Sequence, residues 1–192
     1  VVVQLQPKLR SCHTALCALE DYDSVTQLLG ELKRSLGAGL TGFELMWDNY
    51  LDKVLEVVPT LQNPFVEAHP FYLLVEYKDS DEVVGAERFE SALFSHLEAG
   101  LITDAVIAQS HKDAEQFWQI RDGIGELLQV LGPVSNQDVS LSLTQLGQFT
   151  VDLEARLKAK YADMDVLMFG HIGDNNLHVV AYTGRAEDKP LI

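Results

Sequence analysis

The sequence predicts an α+β domain: a mostly antiparallel sheet with helices packed on one face and ferredoxin-like βαβ elements within it. Three observations predict this. Apolar patterns of period two and period 3.6 alternate from end to end, as strands and helices taking turns require. The last two strand-like stretches, "DVLMFGHIG" and "NNLHVVAY", are separated by a polar turn alone, so they must pair antiparallel as a hairpin. No GxGxxG or GxxxxGK[ST] follows any strand-like stretch, so the phosphate-cradling turns of parallel doubly wound sheets are missing.

The elements follow in order. "VVVQLQ" (1–6) and "HTALCALE" (13–20) read as strands. Residues 21–39 read as a helix capped by Asp21 or Asp23, with an apolar stripe of Val25, Leu28, Leu29, Leu32 and Leu36 and a glycine stop. "LTGFELMWD" is a strand and "NYLDKVLEVV" a short helix ended by Pro59. The proline-rich stretch 59–70 must be a loop, and "FYLLVEY" after it is the clearest strand. A helix over 81–99 puts Ala86, Phe89, Leu93 and Leu97 on one side. "ITDAVIAQ" is a strand, 111–132 one long helix, "VSNQDVSLS" a strand and 143–162 a helix leading into the hairpin. No repeat, low-complexity tract or linker interrupts them, so residues 1–192 read as one domain, with two similar βαβ halves as one arrangement.

Composition narrows the function. A formal net charge of −15 with no basic stripe excludes nucleic acid as a partner. A small anionic substrate would need a local positive feature against that background, an arginine or a metal ion. No apolar run approaches the roughly eighteen residues that cross a bilayer, and "VVVQLQPKLR" lacks the layout of a signal peptide. Cys12 and Cys17, five apart on one strand, point to opposite faces, which fits two structural thiols in a reducing compartment. The missing initiator methionine and the close on "EDKPLI" suggest a piece of a longer polypeptide.

The chemistry concentrates in two places. If Asp174 and Asn175 form a two-residue turn, His171 and His178 become direct cross-strand neighbours with Cβ atoms roughly 4.5–5.5 Å apart. Spacing alone leaves two readings: imidazoles that hydrogen-bond outward or pack as amphipathic rings, and imidazoles that share a divalent ion. A catalytic site of the latter kind needs a third protein ligand, and no carboxylate announces itself by spacing. The second place is "FWQIRDGIGELL", where Arg121 sits at the edge of the buried helix face beside Trp118 and Gly125. Gly123 and Gly125 each cost about 1 kcal/mol relative to alanine in a helix, so a close ligand or neighbour should require them. Arg121 reads either as a snorkelling side chain paired with Glu126 or Asp122, or as a guanidinium fork for a substrate carboxylate. Asp138 is a candidate buried partner, while His13, His69, His96 and His111 share no spacing and read as surface or loop residues.

"FWQIRDGI", "DVSLSL", "FGHIGDNNLH" and "GAGLTGFELMWDNYLDKVL" together resemble the C-terminal domain of FAD-linked oxidases of the vanillyl-alcohol oxidase superfamily. The similarity is to its D-2-hydroxy acid dehydrogenase branch, and it spans nearly the whole chain. The resemblance implies an upstream FAD-binding domain and a cap domain, this one, that forms the substrate pocket over the flavin. It implies that a D-2-hydroxy acid is oxidised to a 2-oxo acid by hydride transfer to FAD. His171 and His178 would ligate a divalent metal, zinc or manganese, with His178 also counted as catalytic. Arg121 would be catalytic and would bind the substrate carboxylate, Trp118, Gly125 and Asn136 would line the pocket, and Asn176 would approach the cofactor. Relatives acting on hydroxyglutarate carry threonine, lysine and asparagine where Gly125, Asn136 and Val180 stand, which favours a smaller or more apolar acid here. The resemblance also implies a downstream segment, not included in this sequence, that supplies a carboxylate ligand and a further histidine. The expected setting is bacterial cytoplasm or an organelle matrix, with a homodimer as one assembly. The alternatives are a non-catalytic binding or assembly module, and a relative that acts on phenols or ether lipids.

Overall fold

The computed structural model describes Leu9 and residues 11–185; the strand expected at "VVVQLQ" lies outside the described residues. The described elements are β1 (Ser11–Leu19), α1 (Tyr22–Leu36), β2 (Leu40–Trp47), α2 (Asp48–Val57), β3 (Phe71–Asp79), α3 (Glu82–Glu98), β4 (Asp104–Ile107), α4 (His111–Arg121), α5 (Ile124–Val130), β5 (Val134–Ser140), α6 (Leu143–Lys160), β6 (Asp165–Gly170) and β7 (Asn176–Tyr182). Local chemistry sets several ends. Asp21 caps α1 by accepting the Ser24 N–H at 2.7 Å, and Gly37, at φ +59°, stops it. Asp81 caps α3 by accepting from Val83 and Val84.

The strands form one seven-stranded sheet in the order β4-β1-β3-β2-β6-β7-β5, every neighbouring pair antiparallel. It divides into two units. In the first, β3 lies between β1 and β2, and β4 flanks β1, which is the ferredoxin-like order 4-1-3-2. In the second, β7 lies between β5 and β6. The units meet where β2 pairs with β6 at Leu45↔Gly170 and Met46↔Phe169. The antiparallel α+β architecture with ferredoxin-like elements is thus the one the sequence predicts.

The structure corrects the placement of the helices, which cover both faces. Ala15, Cys17 and Leu19 pack under α1, α3 and α6, whereas Leu16 and Ala18 pack under α2, α4 and α5. A strand buried on both faces must be apolar at consecutive positions, and "ALCAL" (15–19) is such a run. The expected single helix over 111–132 is also broken, ending at Arg121 and restarting at Ile124. Gly123 sits at the break, where a Cβ would come within 2.6 Å of Val54 Cγ1, so close packing on α2 requires that glycine. Gly125 faces open space, and nothing in the described chain requires it.

Candidate active site

The candidate site begins with strand alternation. Glu44 and Met46 on β2, Phe169 on β6, His178 and Val180 on β7, and Asn136 and Asp138 on β5 share the sheet face covered by α2, α4 and α5. Arg121, the last residue of α4, reaches this face from above.

Glu44 is the anchor. It is 7 % exposed in an otherwise apolar strand, and a buried carboxylate persists only when charged or hydrogen-bonding partners compensate its lost hydration. Arg121, itself 8 % exposed, supplies them: Nε donates to Glu44 Oε2 at 2.9 Å, and Nη2 lies 2.8 Å from the same oxygen. His171 completes the arrangement, with Nδ1 2.9 Å from Glu44 Oε1 and Arg121 Nη2 3.1 Å from its Nε2. The Tyr50 hydroxyl donates to the Arg121 carbonyl at 2.7 Å, which fixes the end of α4; burial pushes the Tyr50 phenol well above its usual range, so it stays a donor. The guanidinium also lies 5.6 Å from the centre of the Phe169 ring.

The two histidines come together, though not as direct cross-strand neighbours. His178 faces Phe169 on β6 and Asp138 on β5, while His171 lies just beyond β6, where the β2–β6 register extended by one step would put Glu44. The two-residue turn does not form. Instead Ile172–Asp174 make a single 3-10 turn closed by Asn175 in the left-handed region at φ +60°, with the Asn176 N–H donating to the His171 carbonyl. The imidazole centroids are nevertheless 5.3 Å apart. Each ring keeps Nδ1 on a carboxylate, that of His178 on Asp138 Oδ1 at 2.5 Å. Asp138 is therefore a partner of His178, and its side chain is 71 % exposed rather than buried.

The other expected site residues lie around this corner. Trp118, one turn before Arg121, is half-buried and lines a neighbouring cavity with Cys12, Glu76, His111 and Asp122. Gly125 on α5 and Asn136 on β5 are exposed, and Asn136 pairs with Val180. Asn176 opens β7, and its Oδ1 is buried without a partner. That orphan acceptor would gain a bond from any ligand N–H that reached it. Of the two partners that spacing offered, Asp122 accepts from Arg121 Nη1 at 2.9 Å, while the dominant partner is Glu44, which spacing did not select. Glu44 does carry a signal in the sequence, since it is the one charged residue of "GFELMW" and falls on a buried face. A polar cavity of about 120 Å³ lies beside Glu44 and His171, and Lys33 holds its rim by donating to the Gly173 carbonyl at 3.2 Å.

As a metal centre the corner offers two imidazoles: His178, with Nδ1 on Asp138, has the arrangement that leaves Nε2 to a metal, whereas His171, with Nδ1 on Glu44, has its Nε2 against Arg121 Nη2. Among the described residues no group of three or more His, Cys, Asp and Glu is disposed to hold an ion. Two imidazoles are donor types that suit a divalent cation, and a cation on His171 would have to take the place that Arg121 Nη2 holds against its Nε2 at 3.1 Å.

Fold and corner define an antiparallel α+β domain that gathers a guanidinium, a buried carboxylate and two imidazoles at the seam between its two units. The chain belongs to the family described as FAD linked oxidases, C-terminal domain, which it matches over residues 8–191. It is 40 % identical over 192 residues to D-2-hydroxyglutarate dehydrogenase, mitochondrial, of Arabidopsis thaliana, covering 100 % of this chain and 34 % of that protein. It is 37 % identical over 164 residues to D-2-hydroxyglutarate dehydrogenase of Xanthomonas citri, covering 85 % of this chain and 34 % of that one. The chain thus spans about a third of the length of these relatives. Among solved structures, alkyldihydroxyacetonephosphate synthase shares the fold with a TM-score of 0.62 at 11 % identity, over 95 % of this chain and 38 % of that one. A 4-ethylphenol oxidase from Gulosibacter chungangensis does so with 0.55 at 10 %, over 93 % and 40 %.

Proposed function

We propose that this chain is the substrate-binding domain of an FAD-dependent dehydrogenase that oxidises a D-2-hydroxy acid to the 2-oxo acid. The observation that carries the reading is the convergence of Arg121 and His171 on buried Glu44, with His178 beside His171, in a member of this family. The names of the relatives support the substrate class. FAD, when bound by the rest of the parent protein, supplies the hydride acceptor, and a divalent cation such as zinc or manganese on His171 and His178 supplies Lewis acidity.

The residues of this chain bind and orient. Glu44 fixes the guanidinium through Nε and Nη2, and Nη1 is left to an exposed partner, Asp122. A substrate carboxylate would displace Asp122 at little cost and accept from Nη1 while Nε and Nη2 stay on Glu44, a division of donors that the single nitrogen of lysine cannot reproduce. Orientation is the contribution that matters, because hydride transfer needs the hydroxyl-bearing carbon at near-contact distance from its acceptor. Asp138 on Nδ1 holds His178 in one tautomer and directs its Nε2 toward the reacting end, while Glu44 on Nδ1 and Arg121 Nη2 near Nε2 fix the ring of His171. Asn176 offers its unpaired Oδ1 to the flavin edge, and Trp118, Gly125 and Asn136 bound the space for the acid side chain. The setting is a mitochondrial matrix or a bacterial cytoplasm, a reading supported by the names and sources of the relatives.

The test is made on the intact parent protein. His171→Ala should slow flavin reduction by several orders of magnitude. Chelation should do the same, with recovery on adding zinc or manganese. Near-normal reduction in both cases would remove the metal role from the histidines.

A further inference from the structure

The segment that closes β2 and opens α2 grips Arg121 at both ends. Glu44 of β2 holds the guanidinium, and Tyr50, fully buried in the first turn of α2, donates its hydroxyl to the Arg121 carbonyl at 2.7 Å. In an unbroken helix that carbonyl would accept from an N–H one turn further on, but α4 stops at Arg121 and α5 begins at Ile124. The phenol takes over at the break, where the Ile124 N–H also approaches its oxygen. One turn along α2, Val54 packs where a Cβ on Gly123 would stand. The helix α2 therefore holds the break by a hydrogen bond and by close packing together.

The ring of the same tyrosine reaches the other half of the site. It stacks on Phe169 with centroids 4.4 Å apart and planes 22° from parallel. Phe169 in turn has the His178 ring 4.9 Å away and the Arg121 guanidinium 5.6 Å from its centre. Asn49, beside Tyr50 in α2, donates through Nδ2 to the Val166 carbonyl at 2.8 Å and so ties the helix to β6, the strand that carries Phe169. Packing alone would be served by phenylalanine, which fills the same apolar space. Tyr72 makes the contrast: it is buried in the same apolar cluster, but its hydroxyl accepts from the His69 N–H at 2.9 Å, in the loop before β3.

We propose that Tyr50 is a positioning residue for both Arg121 and His178, its hydroxyl locking the break that aims the guanidinium and its ring seating Phe169 against the imidazole. On the reading of Arg121 as the carboxylate clamp, on which this rests, the two parts of one side chain serve different steps. The hydroxyl acts through Arg121 on substrate affinity. The ring acts through Phe169 and His178 on the rate of hydride transfer as well.

The FAD-loaded parent protein, titrated with D-lactate, glycolate and D-2-hydroxyglutarate in stopped-flow reduction and followed separately by hydrogen–deuterium exchange, tests both parts. In Tyr50→Phe the acid concentration for half-maximal reduction rate should rise about tenfold while the limiting rate stays within about twofold, because a buried carbonyl loses its donor and the ring remains. Amides 122–131, which span the break and α5, should exchange about tenfold faster. Tyr72→Phe also strips a buried backbone group of its phenol and should lose stability too, yet it should move neither readout. Tyr50→Leu removes the ring and should in addition slow the limiting rate by about tenfold; if that variant does not fold, Phe169→Leu reads the same effect. A Tyr50→Phe protein that titrates and exchanges like the wild type, or shifts no more than Tyr72→Phe, overturns the proposal, as does a limiting rate untouched by loss of the ring. A wild type bleached by none of the acids would fail earlier, at the redox reading itself, and the exchange data, which need no turnover, keep the two failures apart.

Discussion

His69 and His171 each rest Nδ1 near a carboxylate, Glu20 at 3.1 Å for the first and Glu44 at 2.9 Å for the second. Around His69 the arrangement ends there. The ring is buried between Phe65 and Tyr72, its Nε2 is buried without a partner, and the Glu20 side chain is mostly in solvent. Around His171 the carboxylate is buried, so it needs further partners and draws in Arg121, while His178 sits beside the ring. A histidine–carboxylate pair is thus a structural unit that serves either purpose. What separates the two corners is the burial of the acid, because a buried acid organises other charges around it.

Substitutions sharpen that contrast. The largest effect should come from Arg121→Met, which removes both the carboxylate fork and the charge opposite Glu44. Flavin reduction by a D-2-hydroxy acid should become undetectable, and stability should fall by about 3–5 kcal/mol because a buried acid is left uncompensated. Denaturant unfolding beside stopped-flow reduction reads both losses, and a variant of unchanged stability would show that Glu44 is not held by this arginine. Next, Arg121→Lys keeps a charge and loses the fork, so substrate affinity should fall roughly 10- to 100-fold. Asp138→Asn, at an exposed position, should cost about tenfold in metal affinity or rate, at the lower end for groups that orient a ligand. His69→Phe should leave reduction within about twofold of normal; a large loss there would erase the distinction between the two corners.

The smallest effect lies away from both. The Tyr77 hydroxyl donates to Asp79 at 2.5 Å and, with backbone N–H groups, holds that carboxyl down to about 2. Its folded value is below the unfolded one near 3.9, so its contribution is present above that range and is lost as pH falls through about 2. Asp79→Asn should therefore lower the melting temperature slightly at neutral pH, and the difference should vanish at the acid extreme. Flavin reduction should not change.

Much of this was legible in the sequence, and the misses have physical causes. Alternation found the seven described strands and the terminal hairpin, and placed His171 and His178 on one face. Their register was off because Asn175 closes a helical turn rather than a two-residue one. The error is two residues, His178 facing Phe169 rather than His171, and an even shift keeps side chains on the same face. The helix break at Gly123 was hidden because its cause, the approach of Val54, is a tertiary contact. Both-face burial was visible in the continuous apolar run of β1 and was outweighed by the terminal hairpin. Glu44 escaped because its partners lie 77 and 127 residues away in the chain, beyond any local spacing rule.

The central claim is that this corner handles a 2-hydroxy acid in front of a flavin, and anaerobic mixing tests it most directly. The intact parent protein, loaded with FAD, is mixed with D-lactate, glycolate, D-2-hydroxyglutarate and longer D-2-hydroxy acids while the visible flavin band is followed. Bleaching by one D-2-hydroxy acid, abolished in Arg121→Met, is the predicted result. A fully loaded flavin that none of these acids bleaches would contradict the account.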